Sequence, residues 1–530
     1  MTDLLPRLQA TTQAPPARAQ TQPRVEPPRR GGVYPAVLQA LTQPLTQPQP
    51  QRGLVAKAVI AGRQLLGAAP LADPDTETDP PRAATIGCII PAYNEQATIG
   101  AVLDALLAQT RLPDVIHVII NNTDDDTAEV VAKYVGMHRR VVKGVPMTTR
   151  VQMHDMGANA DKKVGALNYG FGLVRTFDFI LGVDGDTVLD RHCVEHLELE
   201  MVSDTRIGGL SAIYTVGYEQ GSGPVQKFLI AGQRAQFGGF NMDNLLRGRN
   251  MAVLGGQCSL FRTEALLRVM DHHHQSTPWV RDSEVEDSLL SLQIKKIGYA
   301  TKISARARAT VGGMTTLKAL HAQQVKWNYG GIDLMWPGQR GGTQGQPFHP
   351  NLRLRWYENI SMLLNITTRL AFITLLSAAL SIHAFVFNPI WLLPPAVSWL
   401  LNIKTASSMH KADLKDWLYA ALALPAEAYM WIRMGHFATA WGQFLARIEK
   451  DNWAAQANAE GGRKGGLAWA YPLLIAALVV TGTVYLWSGQ DVHTKAAILW
   501  WGWLMLYTIT VTQTVFMLKK TLRRTRGYRV

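Results

Sequence analysis

Cysteine is scarce in this sequence: Cys88, Cys193 and Cys258 are the only three in 530 residues. They share no CxxC spacing and no obvious pairing, so neither a disulfide framework nor a zinc site is implied. Acid is short as well. Asp and Glu number 40 against 53 Lys and Arg, for a formal charge of +13. Such an excess can mark nucleic-acid binding, but no recognition motif accompanies it. Much of it sits in an Arg-bearing amino-terminal stretch and beside long apolar runs, where the cytoplasmic face of a membrane attracts basic residues. The partner expected from charge is therefore a lipid bilayer, with no nucleic acid. The opening MTDLLPRLQATT also lacks the basic-then-apolar pattern of a secretory signal, so the soluble parts of the chain are expected in the cytoplasm.

The length exceeds one ordinary domain, and composition divides it in three. Residues 1–83 are dominated by Pro, Gln, Thr, Arg and Ala, as in TQPLTQPQPQR. That stretch has too little apolar surface to offset ordering entropy and is expected to be disordered. Within it, Gly53–Ala69 has the pattern of a basic amphipathic helix, lying on a membrane or packed on the next domain. From residue 84 to about 345, short β-rich runs (IGCII, VIHVII, FDFILGVD, IGGLSAIYTV) alternate with helix-like stretches (EQATIGAVLDALLA, TAEVVAKYV, and the region around His192–Met201). This alternation predicts a mainly parallel sheet with helices on both faces. In such sheets ligands bind where strands end.

Residues 346–530 carry the long apolar runs. Leu467–Trp487 and Ala496–Met517 are free of charge and long enough to cross a bilayer, which takes about 20 residues. Leu370–Phe387 is a further span, and Pro389–Ile403 a shorter one. Lys404, Lys411, Lys415, Arg463, Lys464 and the segment KKTLRRTRGYR then place the intervening and outer ends inside. Trp417–Trp431 is apolar but contains Glu427 and Pro425. If it crossed, the basic stretch 433–464 would lie outside, so it is expected to be an interfacial helix. Four spans follow, or five if that segment crosses.

LGVDGDTVLD is the sharpest chemical signal. An apolar strand ends in Asp184-Gly185-Asp186, so two carboxylates emerge together. Hard oxygen ligands with open positions suit Mg²⁺ or Mn²⁺, the remaining positions going to a diphosphate. A solvated turn is the bland alternative for this motif alone. IGCIIPAYNEQATI places Pro91, Tyr93 and Glu95 at the end of the first strand, before a helix amino-terminus that favours anions. VIINNTDDDTAEVV repeats that geometry with Asn121 and Asn122. KKVGALNYG supplies Lys163 for phosphate charge, with Gly165 and Ala166 permitting close approach. A lone His272–His274 run has no spaced partners and reads as a loop.

In this order the motifs resemble the inverting GT-A transferases of glycosyltransferase family 2, over about residues 84–345. The resemblance implies an α/β GT-A catalytic domain with a Rossmann-like mixed sheet, joined to an α-helical transmembrane region. It further implies that the PAYNE segment and the second strand's end hold base and ribose. Lys163 would lie near the diphosphate, and Asp184 and Asp186 would bind metal and donor. Asn121 and Asn122 stand where the family often has acids. GGQCSLFR, with Gln257, resembles the family's acceptor-side loop. In RDSEVEDSLLSLQ the family's catalytic base corresponds to Asp287, with Glu286 beside it on the acceptor side and Asp282 and Glu284 as weaker candidates. HAQQVKWNYG resembles the Q-Q/R-x-R-W signature of cellulose, chitin and hyaluronan synthases, Lys326 replacing Arg. Gln323, Gln324 and Trp327 are then the expected acceptor contacts, the indole stacking on a sugar face. The implied activity is inverting transfer of a hexose or N-acetylhexosamine from a UDP-sugar to a growing polysaccharide at the membrane. Two alternatives stay open: transfer of one sugar to a lipid or protein acceptor, and a membrane scaffold with an inactive transferase-like domain.

Overall fold

The computed structural model describes residues 84–217, 223–281, 285–336, 352–446 and 480–530. The expected tail 1–83 with its Gly53–Ala69 helix, the candidates Asp282 and Glu284, and most of the expected Leu467–Trp487 span lie outside the described residues.

The first region runs β1 (Ile86–Ala92), α1 (Ile99–Leu107), β2 (Val115–Ile120), α2 (Thr127–Ala132), β3 (Gly136–Val142), β4 (Val145–Asp155), α3 (Lys162–Val174), β5 (Phe179–Val183), β6 (Val188–Leu189), α4 (Cys193–Ser203), β7 (Ile207–Val216), α5 (Pro224–Leu246), β8 (Cys258–Arg262), α6 (Thr263–His273), α7 (Glu286–Lys296), β9 (Ala300–Val311) and α8 (Leu317–Met335). The strands form one sheet in the order β3-β4-β2-β1-β5-β8-β7-β9-β6. The expectation of a mainly parallel sheet needs correction. β4-β2-β1-β5 and β7-β9 pair in parallel, whereas β3-β4, β5-β8, β8-β7 and β9-β6 are antiparallel. β8 and the β3–β4 hairpin, neither of which the alternation rule detects, make the difference.

Side chains along β1 alternate between two cores, because successive residues of a strand point to opposite faces. Ile86, Cys88 and Ile90 pack with α1 and α4, while Ile89 packs with α3, α6 and α7. α1 fits its face because Ile99, Val102, Leu103 and Leu106 recur at helical spacing and are all buried. Each such aliphatic side chain contributes roughly 1.5–3 kcal/mol when fully buried. All three cysteines fall in the first core as free thiols, Cys193 Sγ 3.9 Å from Cys258 Sγ.

The second region comprises α9 (Arg353–Ser381), α10 (Leu393–Ser408), α11 (Leu414–Ala421), α12 (Leu424–Leu445) and α13 (Val492–Leu522). α9 is the one helix among the described residues that is long and apolar enough to cross a membrane. It starts 17 residues before the expected Leu370 and ends at Ser381, short of Phe387. Pro389–Leu392 is a separate turn before α10, and α13 encloses the expected Ala496–Met517. The Trp417–Trp431 stretch is not one helix. Ala423, at φ +56°, ends the approach to Pro425, and the chain restarts as α12. Pro fits there because a first helical turn needs no N–H from it.

Candidate active site

β2 and β4 lie on one side of β1 and β5 on the other, so the chain reverses its direction of travel between β1 and β5. That switch opens a crevice at the strands' carboxyl ends. Pro91 is the penultimate residue of β1, and Tyr93 and Glu95 follow in the exposed loop. This loop is locked to the one after β2. Asn94 Nδ2 donates to Asp124 Oδ1 at 2.7 Å, Asp124 N returns a bond to Asn94 Oδ1 at 3.0 Å, and Glu95 N donates to Thr127 Oγ1 at 2.8 Å. Asn94 takes a positive φ of 53°, which Asn tolerates better than most residues.

Asn122 lines the crevice and also ties it to the next loop. Its Nδ2 donates to Asn159 O at 2.8 Å and to Asn121 Oδ1 at 3.3 Å, while its Oδ1 accepts from Asn159 N at 2.8 Å. One amide hydrogen is thereby committed to the loop before α3 and the other to Asn121, while the amide oxygen keeps a second lone pair.

At the centre, Lys163 Nζ lies 2.6 Å from Asp184 Oδ1. Lys163 opens α3, and Asp184 follows β5, with its N–H bonded to Gln257 O at 3.1 Å. Gly256 backs onto the same group. A β-carbon there would meet Asp287 Oδ2 at 2.7 Å, Lys163 Nζ at 3.0 Å and Asp184 Oδ1 at 3.5 Å, so only glycine leaves the three together. Asp287 and the buried Glu286 start α7. Burial pushes the Asp287 carboxyl well above its usual range, and Glu286 and Asp184 add to that; Lys163 and the Gly256 N–H oppose it. Burial disfavours the Lys163 ammonium, yet Asp184, Asp287 and Glu286 outweigh it and hold the charge in place. The structure thus brings Lys163, Asp184, Glu286 and Asp287 into one electrostatic unit.

Asp186 stands apart from that unit. Thr187 Oγ1 donates to its Oδ1 at 3.2 Å, and Oδ2 packs against Gly312, whose β-carbon would lie 2.3 Å away. Burial first, then the Asp184 charge, push the Asp186 pKa up to about 6. A buried carboxylate beside a second one is a group whose charge a dication would relieve. No cluster of three His, Cys, Asp or Glu that could hold a metal occurs among the described residues. The two carboxylates of Asp186 and Asp184 could supply hard oxygens to an ion such as Mg²⁺ or Mn²⁺, with diphosphate and water filling the other positions.

On the other side of the crevice, Gln323, Gln324 and Trp327 lie on α8 and line the same cavity as Pro91, Tyr93, Glu95, Asn122, Lys163, Asp184, Asp186, Gln257, Glu286 and Asp287. Gln324 Oε1 accepts from Gln236 Nε2 at 3.2 Å, and Gln236 Oε1 accepts from Tyr429 OH at 3.0 Å, which ties α8 through α5 to α12. Trp327 is part-buried, its ring centroid 6.4 Å from that of Phe237. The Gln257 side chain folds back over Gly255, with Oε1 lacking a donor.

Sequence reasoning missed three cavity residues near Asp287: Tyr214 on β7, and Arg355 and Glu358 at the start of α9. Arg355 Nη2 donates to Ser288 Oγ at 3.0 Å. No motif marks them, since they come together only through the fold. Gly312, which makes room for Asp186, carried a weak signal in the GG pair after β9.

The chain matches two related family descriptions, "Glycosyl transferase family 2" over residues 88–269 and "Glycosyl transferase family group 2" over residues 179–432. Together they span the sheet, the crevice and the first helices of the second region. The chain is a glycosyltransferase that carries a family 2 domain over these residues. The mixed sheet is accordingly a GT-A-like glycosyltransferase fold. Among curated proteins, a poly-beta-1,6-N-acetyl-D-glucosamine synthase of Staphylococcus aureus is 23% identical over 263 residues, which cover 49% of this chain. The chain spans 58% of the length of that relative. Solved structures with a similar course include a mannosyltransferase from Pyrobaculum calidifontis in complex with GDP-Man and Mn²⁺. It is 16% identical, with a TM-score of 0.41, over 75% of this chain and 96% of that one. TarS of S. aureus in complex with UDP is 12% identical, with a TM-score of 0.31, over 68% and 92%.

Proposed function

We propose that this family 2 transferase sits in a membrane and moves a hexose or N-acetylhexosamine, N-acetylglucosamine first among them, from a UDP-sugar to a growing polysaccharide with inversion. The observation that carries the reading is a single cavity of about 2480 Å³. It runs from Lys163, Asp184 and Asp287 past Gln324 and Trp327 to Trp391, Trp503 and Tyr507 on the membrane-region helices. Trp391 and Trp503 are stacked, 4.9 Å apart and 11° from parallel, and Trp391 Nε1 donates to Tyr507 OH at 2.6 Å. Aromatic faces with polar edges suit a sugar chain. A single-sugar transferase has no need of a cavity that extends so far.

The chemistry proposed follows from the positions of the groups. Asp287 takes the proton of the acceptor hydroxyl as that oxygen bonds to the anomeric carbon and the nucleoside diphosphate leaves from the opposite face. A carboxyl raised by burial is a stronger base than a solvated one. Lys163 is placed to offset diphosphate charge. Mg²⁺ or Mn²⁺ held by Asp186 and Asp184 would neutralise further charge on the leaving group. Trp327, Gln323 and Gln324 hold the acceptor end, and Tyr93, Glu95 and Pro91 border the nucleoside.

Membrane insertion is supported by α9 and by large apolar side chains left uncovered on several elements. Ile360, Leu363, Leu370 and Leu380 of α9, Leu392 and Leu400 around α10, and Trp500, Trp501 and Met505 of α13 are 45–63% exposed. An apolar surface spread over three helices marks contact with lipid or protein. The four-span arrangement, with the catalytic region and the 433–464 stretch inside, is part of the proposal.

The test is to incubate membranes containing the protein with radiolabelled UDP- and GDP-sugars and to size the product. A ladder of long products from one UDP-sugar is expected. A product one sugar longer than its acceptor would favour the single-transfer alternative, and absence of both transfer and UDP binding would favour the inactive scaffold.

A further inference from the structure

Some of the positive charges that flank the membrane-region helices converge with charges from the catalytic sheet. Segment 523–530, which follows α13, returns to the connection between α10 and α11. Val530 N donates to Ser408 O at 2.9 Å, and the Arg529 guanidinium donates to Ser407 O. From β9, Arg308 Nη2 donates to Arg529 O at 3.0 Å and Nη1 to Arg306 O at 2.9 Å, while its Nε is buried with no partner. Arg308 is thus engaged with carbonyls and forms no ion pair. Arg306, two residues away, also forms none among the described ion pairs.

The carboxylate at this surface is Asp190, 3.7 Å from Lys411 Nζ. Glu195 is turned to Thr110 and Lys143. Among the described side chains here, the four cations Arg306, Arg308, Lys411 and Arg529 outnumber the acids, Asp190 and the already engaged Glu195. Burial holds both His196 and His410 below the ordinary imidazole range, and the nearby arginines lower them further. Attraction of basic residues to an inner membrane face accounts for Lys411 and Arg529, which flank membrane-region helices. It does not account for Arg306 and Arg308, which belong to a strand of the catalytic sheet.

We propose that this junction of β9, the 409–413 connection and segment 523–530 binds the phosphate of an anionic membrane-lipid headgroup. The inference rests on the membrane reading above. Guanidinium and ammonium donors match phosphate oxygens, and basic pockets at the inner ends of membrane helices are where such headgroups collect. A bound headgroup would join the edge of the sheet to the inner ends of α10 and α13 and so hold the catalytic region against the bilayer.

The full chain is reconstituted into phosphatidylcholine nanodiscs, and binding of a fluorescent phosphatidylglycerol is compared for wild type, Arg306→Gln/Lys411→Gln, and Arg139→Gln/Arg150→Gln. The last pair removes the same charge from the exposed β3–β4 hairpin. The first double variant should weaken binding by at least about tenfold, as expected for two lost basic contacts, while the hairpin variant and UDP binding stay unchanged. Equal loss in both variants, or no preference for phosphatidylglycerol in the wild type, overturns the proposal. Displacement by millimolar inorganic phosphate or glycerol 3-phosphate assigns the site to a soluble anion and overturns the lipid source. A chain that remains in the aqueous fraction without detergent overturns the membrane reading and this proposal together. Failure of sugar transfer by an incorporated, lipid-selective protein sinks only the proposed function.

Discussion

Arg369 and Glu427, both on the cavity wall, form a two-point ion pair, Nε to Oε1 at 2.6 Å and Nη2 to Oε2 at 2.9 Å. Asn365 Oδ1 accepts the remaining Nη1 at 2.8 Å. The acid that makes the 417–431 run look unlike a membrane segment therefore has its partner on α9. Glu427→Gln should lower the thermal unfolding midpoint in detergent, and Arg369→Met/Glu427→Met should recover most of the loss, because an unpaired charge costs more than none. Glu427 is 45% exposed, so the single variant should fall well short of the roughly 3–5 kcal/mol of a fully buried pair. Equal losses in both variants would mean that packing, and not charge, holds α9 to α12.

Asp287→Asn keeps the shape of the side chain and removes the base. Transfer should fall by about 10² or more, the usual scale for lost general-base help, while UDP-sugar still binds. Calorimetric binding and initial rates on one preparation separate the two effects. Loss of binding together with rate would assign Asp287 to the donor side.

The acid limb of the rate profile should reveal the neighbours of Asp287. Its carboxyl is raised, so the ionised base is lost as pH falls through a value above the ordinary carboxylate range of about 4. Glu286 helps to raise it by like charge. Glu286→Gln should therefore move the acid limb of kcat/KM to lower pH. A limb that stays in place, or moves up, would mean that the titrating group is not Asp287.

Chelation should abolish transfer, and Mg²⁺ or Mn²⁺ should restore it. Asp186→Asn should remove metal-dependent UDP binding without disturbing the Lys163–Asp184 contact, since Asp186 makes no bond to either. Full turnover in excess chelator would remove the metal from the reaction.

Trp327→Ala should leave donor binding and metal dependence intact, collapse product length, and leave slow hydrolysis of the nucleotide sugar, because water needs no stacking platform. Trp327 already touches Phe237, so unfolding in detergent would reassign it to the core. Normal elongation by a folded variant would strengthen the single-sugar alternative.

Legibility in the sequence differed sharply by element. VIHVII and IGGLSAIYTV coincide with β2 and β7 residue for residue, since strands buried on both faces read as largely apolar runs. The DGD turn and the Glu286-Asp287 pair emerge where their motifs place them. The β3–β4 hairpin was not legible: β3 alternates half-buried and exposed residues, and its Lys143-Gly144 turn lacks the stronger Asn-Gly signal. The bonds between Asn122 and Asn159 were not legible, because the partner lies 37 residues on and is chosen by the fold. Arg355 and Tyr214 were invisible for the same reason.

The double lock between Asn94 and Asp124, and that between Asn122 and Asn159, bear on how a donor is received. These bonds are already made without a ligand, so the rim at which the proposed nucleoside would bind is preformed and would cost an incoming ligand little ordering entropy. A rim built this way selects by shape at first encounter. Unlocking it, for instance by Asp124→Ala, would trade selectivity among nucleotides for a softer, slower-closing mouth.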